Sequence, residues 1–359
     1  FSVKGSYLGT GIVSEKSKIR IRILSSNAND KFDSDFFKRR IRYAIDYRRT
    51  VMGDDFSACR LVFGEADGLP GLTVDRYDNL IVTQVLSYGM DKLKDTIYRS
   101  ICEILTEYGE RIDGIYERND VAIRELEGLE SYKGWYESDF IKAAASPVTE
   151  ICENGVIYSV DVENGQKTGF FLDQKYNRLA AAKLAKGMRV LDCFTHTGSF
   201  ALNAAMGGAA HVTAVDVSQT AVDKAKENAV RNGLDGRMDF LCTNVFDLLP
   251  TLKKGEYDFI ILDPPAFTKN RKTISDAERG YKEINYRAMK ALNRGGYLAT
   301  CSCSHFMDNK LFVKMLMSAA ADANVSLKLI ELRRQSPDHP TLLNVPETDY
   351  LKFYLFQVV

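Results

Sequence analysis

The chain has 359 residues, of which 45% are hydrophobic and 27% are charged, and its formal net charge is +0. This composition indicates a globular protein of about two or three domains, and no run approaches the roughly 18 apolar residues of a membrane span. Seven cysteines without paired short spacing, and the lack of a secretory signal, argue against a disulfide framework and a zinc site, so we expect a cytoplasmic protein without a metal.

The first fifty residues are basic. Residues 1–50 contain 12 Lys and Arg but 5 Asp and Glu, a net charge of +7 on a neutral chain. The alternation in Lys18-Ile19-Arg20-Ile21-Arg22-Ile23 predicts a half-buried strand with isoleucines inside and a cationic exposed face. A helix is predicted from Asp33 to about Val51, with Asp33 or Ser34 as its cap. The basic residues, including Lys38-Arg39-Arg40, predict an RNA-docking surface, and a solvated helix face is an equal alternative.

Residues from about 56 to 160 alternate short strands and helices, and we interpret them as a separate α+β domain. Strands are predicted at 79–86 and 114–117, with an amphipathic helix at 90–108 between them. This pattern alone predicts no function.

From about Gly187 the sequence alternates regularly between strands and helices. The seven predicted strands are 189–193, 211–216, 238–242, 259–262, 296–302, 326–332 and 351–358. The predicted helices are 199–206, 219–232, 276–293 and 309–323. Apolar runs such as Ile260-Ile261-Leu262 are typical of parallel strands buried on both faces. The pattern predicts a doubly wound, seven-stranded, Rossmann-like α/β domain that binds its ligand beyond the carboxyl ends of the strands.

The turn after the first of these strands, residues 192–198, is the first candidate site. It leads from a strand into a helix, and Gly198 would let the backbone approach a ligand closely. Its spacing is not G-x-G-x-x-G, which disfavours a dinucleotide. Asp216 ends the second strand, where an acid can accept hydrogen bonds from both hydroxyls of a ribose. Together these features predict a nucleoside-containing cofactor, although each alone is also typical of a structural turn or a helix cap.

The segment Asp263-Pro264-Pro265-Ala266-Phe267 follows the fourth predicted strand. Its two prolines stiffen the backbone and remove two donors. Asp263 could then hold a planar ring, with Phe267 available for stacking. The structural alternative is a rigid loop with a capping aspartate.

The segment Thr300-Cys301-Ser302-Cys303-Ser304-His305 ends the fifth predicted strand. A cysteine at a strand end beside a cofactor can act as a nucleophile, and Cys303 lies beyond the strand end. For Cys193, Cys242 and Cys301 we expect the more usual role of a small, buried, apolar side chain.

Three of these motifs, Asp263-Pro264-Pro265, residues 279–285 (RGYKEIN) and Ser302-Cys303-Ser304, resemble those of the bacterial 23S ribosomal RNA 5-methylcytosine methyltransferases of the RlmI type. The resemblance covers almost the whole chain in order. Its further matching segments are 116–124, 167–174 with Arg178, 338–340, and 346–347.

The resemblance implies an enzyme that uses S-adenosylmethionine to methylate carbon 5 of a cytosine in 23S ribosomal RNA. It implies that the following residues surround the cofactor: Phe171, Gln174, Asp192, Phe194, Thr195, Thr197, Gly198, Asp216, Val217, Asn244, Val245 and Asp263. Asn244 would suit the adenine edge, and the stretch 171–174 would close over the methionine end. Cys303 would be the nucleophile, and protonated Asp263 would donate a hydrogen bond to ring N3. A homodimer is left open.

The resemblance also implies a domain organisation. Residues 1–28 would be the remnant of a PUA-like, RNA-binding β-barrel, and 29–55 a linker helix. Residues 56–160 would form the central α+β domain, and 161–359 the methyltransferase domain. Because residues 1–24 resemble only the last strands of the barrel, we expect its earlier part to precede Phe1.

Two alternative functions remain at this point. Related Asp-Pro-Pro loops also serve enzymes that methylate guanine or exocyclic amines, which need no thiol. An RNA-binding or assembly protein with a methyltransferase fold is the other alternative, but the intact motifs argue against it. The commoner RNA 5-methylcytosine enzymes carry a second cysteine where this chain has Ala266. Their T-C-S triplet also resembles Thr300-Cys301-Ser302, although the flanking residues align Cys303 better with the nucleophile.

Overall fold

The structure is a computed structural model that describes residues 1–268 and 271–359, and only the backbone of Arg271. The chain folds as two compact units. The first comprises Phe1–Glu153, Ser159–Asp173 and Pro337–Thr348, and the second comprises Asn154–Tyr158, Gln174–Ser336 and Asp349–Val359. The four domains expected from the sequence stay a prediction. No helix within the described ranges has the length and apolarity needed to cross a bilayer.

The first unit contains an N-terminal hairpin, two long helices and a five-stranded sheet. Its elements are β1 (Thr10–Val13), β2 (Ile21–Ser25), α1 (Ser34–Met52), β3 (Ala58–Phe63), β4 (Leu72–Tyr77), β5 (Leu80–Val85), α2 (Tyr88–Glu107), β6 (Gly114–Asn119) and β7 (Tyr132–Tyr136). The sheet has the order β3-β4-β5-β6-β7, in which only β5 and β6 pair in parallel. Of the two candidate caps, Asp33 caps α1, because its carboxylate accepts a hydrogen bond from the backbone N–H of Phe36 at 3.0 Å.

The N-terminal hairpin corrects one prediction. Ile19, Ile21 and Ile23, which we expected to be buried, are 59%, 57% and 50% exposed. Arg22, expected on the exposed face, instead donates a hydrogen bond of 2.8 Å to the buried carboxylate of Glu127. Alternation therefore identified the strand but not its buried face, because that face depends on what packs against the hairpin.

The second unit is a doubly wound α/β fold. Two strands, β8 (Val148–Glu153) and β9 (Val156–Asp161), lie where the sequence passes between the units. The elements that follow are α3 (Lys175–Leu184), β10 (Arg189–Cys193), α4 (Ser199–Met206), β11 (His211–Asp216), α5 (Gln219–Arg231), β12 (Met238–Cys242), α6 (Val245–Leu248), β13 (Phe259–Leu262), α7 (Ile274–Ala291), β14 (Tyr297–Ser302), α8 (Asn309–Ala323), β15 (Leu327–Arg333) and β16 (Lys352–Val358).

These strands form one seven-stranded sheet with the order β12-β11-β10-β13-β14-β16-β15. The first five strands are parallel, whereas β16 pairs antiparallel with both β14 and β15. Residues of β10 and β13 such as Leu191 and Ile260 are fully buried, because helices cover both faces of a doubly wound sheet. The predicted seven-stranded Rossmann-like fold is confirmed. The strand order reverses between β10 and β13, so the crevice at their carboxyl ends is the expected ligand site.

Candidate active site

The turn from β10 to α4 holds the carboxyl group of Asp192 in a fully buried position. Its Oδ2 accepts hydrogen bonds from Thr195 Oγ1 at 2.6 Å and from the backbone N–H of Ala201 at 2.9 Å. Burial raises the pKa of Asp192 to about 7, and the negative charges of Asp263 and Asp216 act in the same direction. Its Oδ1 has no hydrogen-bond partner among the residues the structure describes. The turn therefore offers a buried oxygen with unused bonding capacity.

The backbone of the same turn is strained. Phe194 and His196 adopt left-handed φ angles of 65° and 52°, which cost a residue with a side chain roughly 1–2 kcal/mol each. Gly198 has a φ of 83°, and a Cβ atom there would lie 3.0 Å from the Cβ of Ala225. The buried Thr197 Oγ1 has no hydrogen-bond partner within the described part of the chain. Such strain clusters at ligand sites, so the turn has the geometry of a binding loop.

Asp216 lies at the carboxyl end of β11, beside this turn. Its Oδ2 accepts a hydrogen bond from the backbone N–H of His196 at 2.9 Å, and its Oδ1 accepts one from Ser218 at 3.0 Å. These bonds orient the carboxylate and connect it to the turn. The next residue, Val217, is 72% exposed, so an apolar side chain stands at the open edge of the crevice.

Asn244 and Val245 follow β12, the edge strand. The side-chain oxygen of Asn244 accepts a hydrogen bond of 3.0 Å from the backbone N–H of Phe246 and caps α6. Val245 is buried beneath it. Asn244 thus has a structural role as a cap, and its contact with adenine stays a prediction.

The loop after β13 brings Asp263 to Gln174 and Cys301. Gln174 Nε2 donates a hydrogen bond of 2.9 Å to Asp263 Oδ1, while Gln174 Oε1 accepts one of 2.7 Å from Asn177 Nδ2. The thiol of Cys301 is fully buried and interacts with both Asp263 and Gln174. Burial raises the pKa of this thiol well above its usual value, and the charge of Asp263 raises it further. Cys301 is therefore held as a neutral thiol.

Cys303 lies one residue beyond β14 and is half-buried. Two polar side chains from neighbouring elements act on it. The hydroxyl of the buried Tyr281, on α7, lies 3.2 Å from Ser302 Oγ, and burial together with the charge of Cys303 raises its pKa. Lys352, on β16, is paired with Ser302 in the sheet, and its Nζ donates a hydrogen bond of 2.7 Å to the carbonyl of Ser304. Burial lowers the pKa of Lys352 to about 8, an effect that the charge of Cys303 opposes.

An aromatic cluster lies at the same strand ends. The ring of Phe267 is 4.6 Å from that of Tyr281, 5.9 Å from that of Phe246 and 6.5 Å from that of Phe194, centroid to centroid. Phe267, expected to be available for stacking on a base, is only half-buried. It therefore keeps an accessible surface while its neighbours hold it in place.

The structure assembles most of the predicted site residues in the second unit. The exception is Phe171, which belongs to the first unit, where its ring centroid lies 4.3 Å from the ammonium of Lys167. Its contact with the cofactor stays a prediction. Cys193 is buried as expected, but Cys242 is exposed, which corrects that prediction. It ends β12, an edge strand whose outer side pairs with no other strand among the residues that the structure describes.

Sequence reasoning assigned no role to Tyr281 or Lys352. A signal for Lys352 was present, since it is the one charged residue in the otherwise apolar or aromatic run 351–356. A lysine in a strand of this kind is rarely buried without a specific partner. Tyr281 lies within the RGYKEIN motif, but nothing in its spacing indicates a contact with the end of β14.

Comparisons with known proteins give consistent results. A family model described as S-adenosylmethionine-dependent methyltransferase matches residues 124–357. The Ribosomal RNA large subunit methyltransferase I of Klebsiella pneumoniae (strain 342) is 40% identical over 360 residues, which cover 99% of this chain and 88% of the relative.

Two solved structures share the fold. One is a candidate SAM-dependent methyltransferase from Streptococcus mutans, with a TM-score of 0.82 and 22% identity over 99% of this chain and 90% of that one. The other is a candidate methyltransferase complexed with SAH, with a TM-score of 0.82 and 23% identity over 98% of this chain and 88% of that one.

Proposed function

This chain belongs to the S-adenosylmethionine-dependent methyltransferase family that includes the ribosomal RNA large subunit methyltransferase I proteins, and we propose that it methylates carbon 5 of a cytosine in 23S ribosomal RNA. The observation that carries the proposal is the half-buried thiol of Cys303 at the end of β14. Asp192 and Asp263 lie at the carboxyl ends of the neighbouring parallel strands. A thiol in this place suits attack on a pyrimidine, whereas methylation of an amine needs none. A ribosomal RNA substrate would place the reaction in the cytoplasm.

The residues at this edge fit S-adenosylmethionine. The buried Asp192 Oδ1 and Thr197 Oγ1, which lack partners among the described residues, could bond to its polar groups. Gly198 gives the turn its left-handed φ of 83°, and a Cβ there would lie 3.0 Å from the Cβ of Ala225, so glycine lets the turn pack closely against α5. The oriented carboxylate of Asp216 suits two ribose hydroxyls. When bound, S-adenosylmethionine supplies the methyl group.

The reaction has to overcome the poor nucleophilicity of carbon 5. In the proposed mechanism the thiolate of Cys303 adds to carbon 6, and a sulfur–carbon bond forms. The electron pair released from the ring double bond makes carbon 5 enamine-like, so that it can take the methyl group. Removal of the carbon-5 proton by a base then restores the double bond, and the sulfur–carbon bond breaks to return the thiolate.

Asp263 would act on the opposite side of the ring. A protonated carboxyl group there could donate a hydrogen bond to N3 and disperse the charge that develops during addition. The hydrogen bond from Gln174 orients this carboxyl group. Because the thiol must reach carbon 6 from above the ring plane, the target cytosine has to be unpaired or flipped out of its helix.

The test is to incubate 23S ribosomal RNA that lacks the modification with the protein and S-adenosylmethionine, and then to map 5-methylcytosine by bisulfite sequencing. We expect one cytosine to become protected with wild-type protein and none with Cys303→Ala. Nucleoside mass spectrometry of the same RNA detects the outcome that would contradict the proposal. If it finds a methylated guanine or a methylated exocyclic amine and no 5-methylcytosine, the protein is a guanine or amine methyltransferase instead.

A further inference from the structure

Lys352 is a charged side chain in a place that ordinarily disfavours charge. It is 7% exposed and lies between Leu351 and Phe353, which are 1% and 0% exposed. Its ammonium donates a hydrogen bond of 2.7 Å to a neutral acceptor, the carbonyl of Ser304. Within the described part of the chain, no carboxylate lies at ion-pair distance from it. Because burying an ammonium without an anion costs several kcal/mol, an anionic partner is expected nearby.

Among the negative charges that raise the pKa of Lys352, the one that Cys303 carries as a thiolate has the largest effect. It favours the ammonium more than the charges of Asp349 and Asp308 do. The sheet explains this proximity, because Lys352 pairs in antiparallel register with Ser302, the residue before Cys303. The hydrogen bond to Ser304 then holds the ammonium at the residue after Cys303. Lys352 is thus paired through its backbone with the residue before Cys303 and hydrogen-bonded through its ammonium to the residue after it.

The other titratable groups around Cys303 do not supply a positive charge. Tyr281, on α7, is kept neutral because burial raises the pKa of its hydroxyl. Cys301, on β14, is kept neutral in the same way. Asp263, on the loop after β13, is neutral when protonated and negative when ionised, so it supplies no positive charge in either form. None of these groups offsets the negative charge of a thiolate, whereas a buried cation beside Cys303 would do so.

We propose that Lys352 is the positioning residue that keeps Cys303 in its thiolate form, through an ammonium held against the strand end by the carbonyl of Ser304. The thiol proton passes to solvent, and no other bond changes. Because thiolate and ammonium stabilise one another, the two groups titrate as a pair. The inference rests on the proposed function only in taking Cys303 as the attacking group.

The experiment measures the rate at which iodoacetamide alkylates Cys303 as a function of pH. Peptide mass spectrometry distinguishes alkylation of Cys303 from alkylation of the exposed Cys152 and Cys242. We expect Lys352→Met to lower the rate at pH 7 at least tenfold, since a pKa higher by one leaves about a tenth of the thiolate. Lys352→Arg, which keeps the charge, should stay within about threefold of wild type. Lys328→Met, on the neighbouring strand β15 and exposed, is the matched control and should leave the rate unchanged.

A second uncharged variant separates the effect of the charge from that of the hydrogen bond to Ser304. Lys352→Gln can still donate a hydrogen bond to Ser304 but carries no charge, and it should react as slowly as Lys352→Met. A wild-type alkylation profile in either folded, uncharged variant would overturn the inference. The assay needs neither RNA nor cofactor, so its outcome is independent of the proposed function. If the profile shifts but no 5-methylcytosine forms on RNA, the pairing stands and the proposed reaction fails.

Discussion

The side-chain amide of Gln174 is oriented by two hydrogen bonds: Nε2 donates to Asp263 Oδ1 at 2.9 Å, and Oε1 accepts from Asn177 at 2.7 Å. The bond from Asn177 fixes which end of the amide faces Asp263. A carboxyl group that must hold one orientation toward a base depends on such a contact.

Removal of the Gln174 side chain is expected to slow turnover. Gln174→Ala should lower kcat about 10- to 100-fold, the range set by a hydrogen bond to a carboxyl group of roughly 1.5–3 kcal/mol. Asn177→Ala is the comparison variant, because it keeps the bond from Gln174 to Asp263 but removes the bonds from Asn177 to Gln174 and to the carbonyl of Arg334, and it should slow turnover less than Gln174→Ala. Single-turnover methylation of RNA at saturating S-adenosylmethionine measures both. Equal rates in wild type and Gln174→Ala would contradict a positioning role.

Cofactor binding should depend on Asp216. Its carboxylate is already oriented by two backbone N–H groups, so it can accept ribose hydroxyls without further ordering. Asp216→Ala should weaken the binding of S-adenosylmethionine at least tenfold, about 1.4 kcal/mol, in a calorimetric titration. Asp239→Ala, an exposed acid one strand away that pairs with His211, should bind as wild type does. If both variants bind equally well, the ribose assignment is wrong.

The buried carboxyl group of Asp192 predicts a pH dependence of stability. Burial raises its pKa from 3.8 to about 7, so between these values the folded state holds a proton that the unfolded chain has released. The free energy of unfolding of the ligand-free protein should therefore contain a term that falls as pH rises from about 4 to 7 and is constant above. Asp192→Asn removes that term.

Urea denaturation at pH 5 and pH 7.5 measures this term as a difference. The difference in the free energy of unfolding between wild type and Asp192→Asn cancels the contributions of all other groups. This difference should become less favourable to wild type when the pH is raised from 5 to 7.5. Identical pH dependence in the two proteins would show that Asp192 is ionised throughout in the folded state.

The α/β unit could be predicted closely from the sequence. The predicted bounds of β10, β11, β12 and β13 agree with the structure, because short apolar runs bounded by turn residues leave little ambiguity for parallel strands buried on both faces. The short antiparallel strands of the first unit, such as β3 and β7, lack such a pattern and were not predicted individually.

The candidate site could be predicted only in part, for a physical reason. Strand-end residues such as Asp192 and Asp216 follow from the sequence, because parallel strands bring their carboxyl ends to one edge. The contact between Lys352 and the end of β14 depends on the antiparallel register of β16, which pairs residues 50 positions apart, Ser302 and Lys352. Register is a property of tertiary packing, so no local pattern could reveal this partner.

The basic N-terminal segment is expected to contribute to RNA binding but not to cofactor binding. The structure directs the test away from the run at 38–40, since Lys38 pairs with Glu103 at 2.5 Å and Arg39 with Asp30 at 3.5 Å. Lys18 and Arg20, exposed on the hairpin, are the better targets.

The variant Lys18→Glu with Arg20→Glu should weaken binding to 23S ribosomal RNA fragments and flatten the salt dependence, by about 0.7 in log–log slope for each phosphate that is no longer neutralised. Lys253→Glu with Lys254→Glu changes the charge equally on an exposed loop that precedes β13, at the opposite end of the strand from Asp263, and should change neither. Equal salt slopes in the two double variants would mean that the hairpin is only a solvated face.

The sharpest expectation distinguishes two cysteines on one strand end. Cys301 is fully buried with a raised pKa, whereas Cys303 is half-buried and close to the ammonium of Lys352. Cys303→Ala should abolish methyl transfer while S-adenosylmethionine still binds, and Cys301→Ala should keep substantial activity. With 5-fluorocytosine in the target RNA, fluorine blocks removal of the carbon-5 substituent, so wild type and Cys301→Ala should form a covalent complex visible by denaturing electrophoresis. Full activity in Cys303→Ala would exclude the carbon-5 mechanism, whereas loss of the complex only in Cys301→Ala would move the nucleophile by two residues.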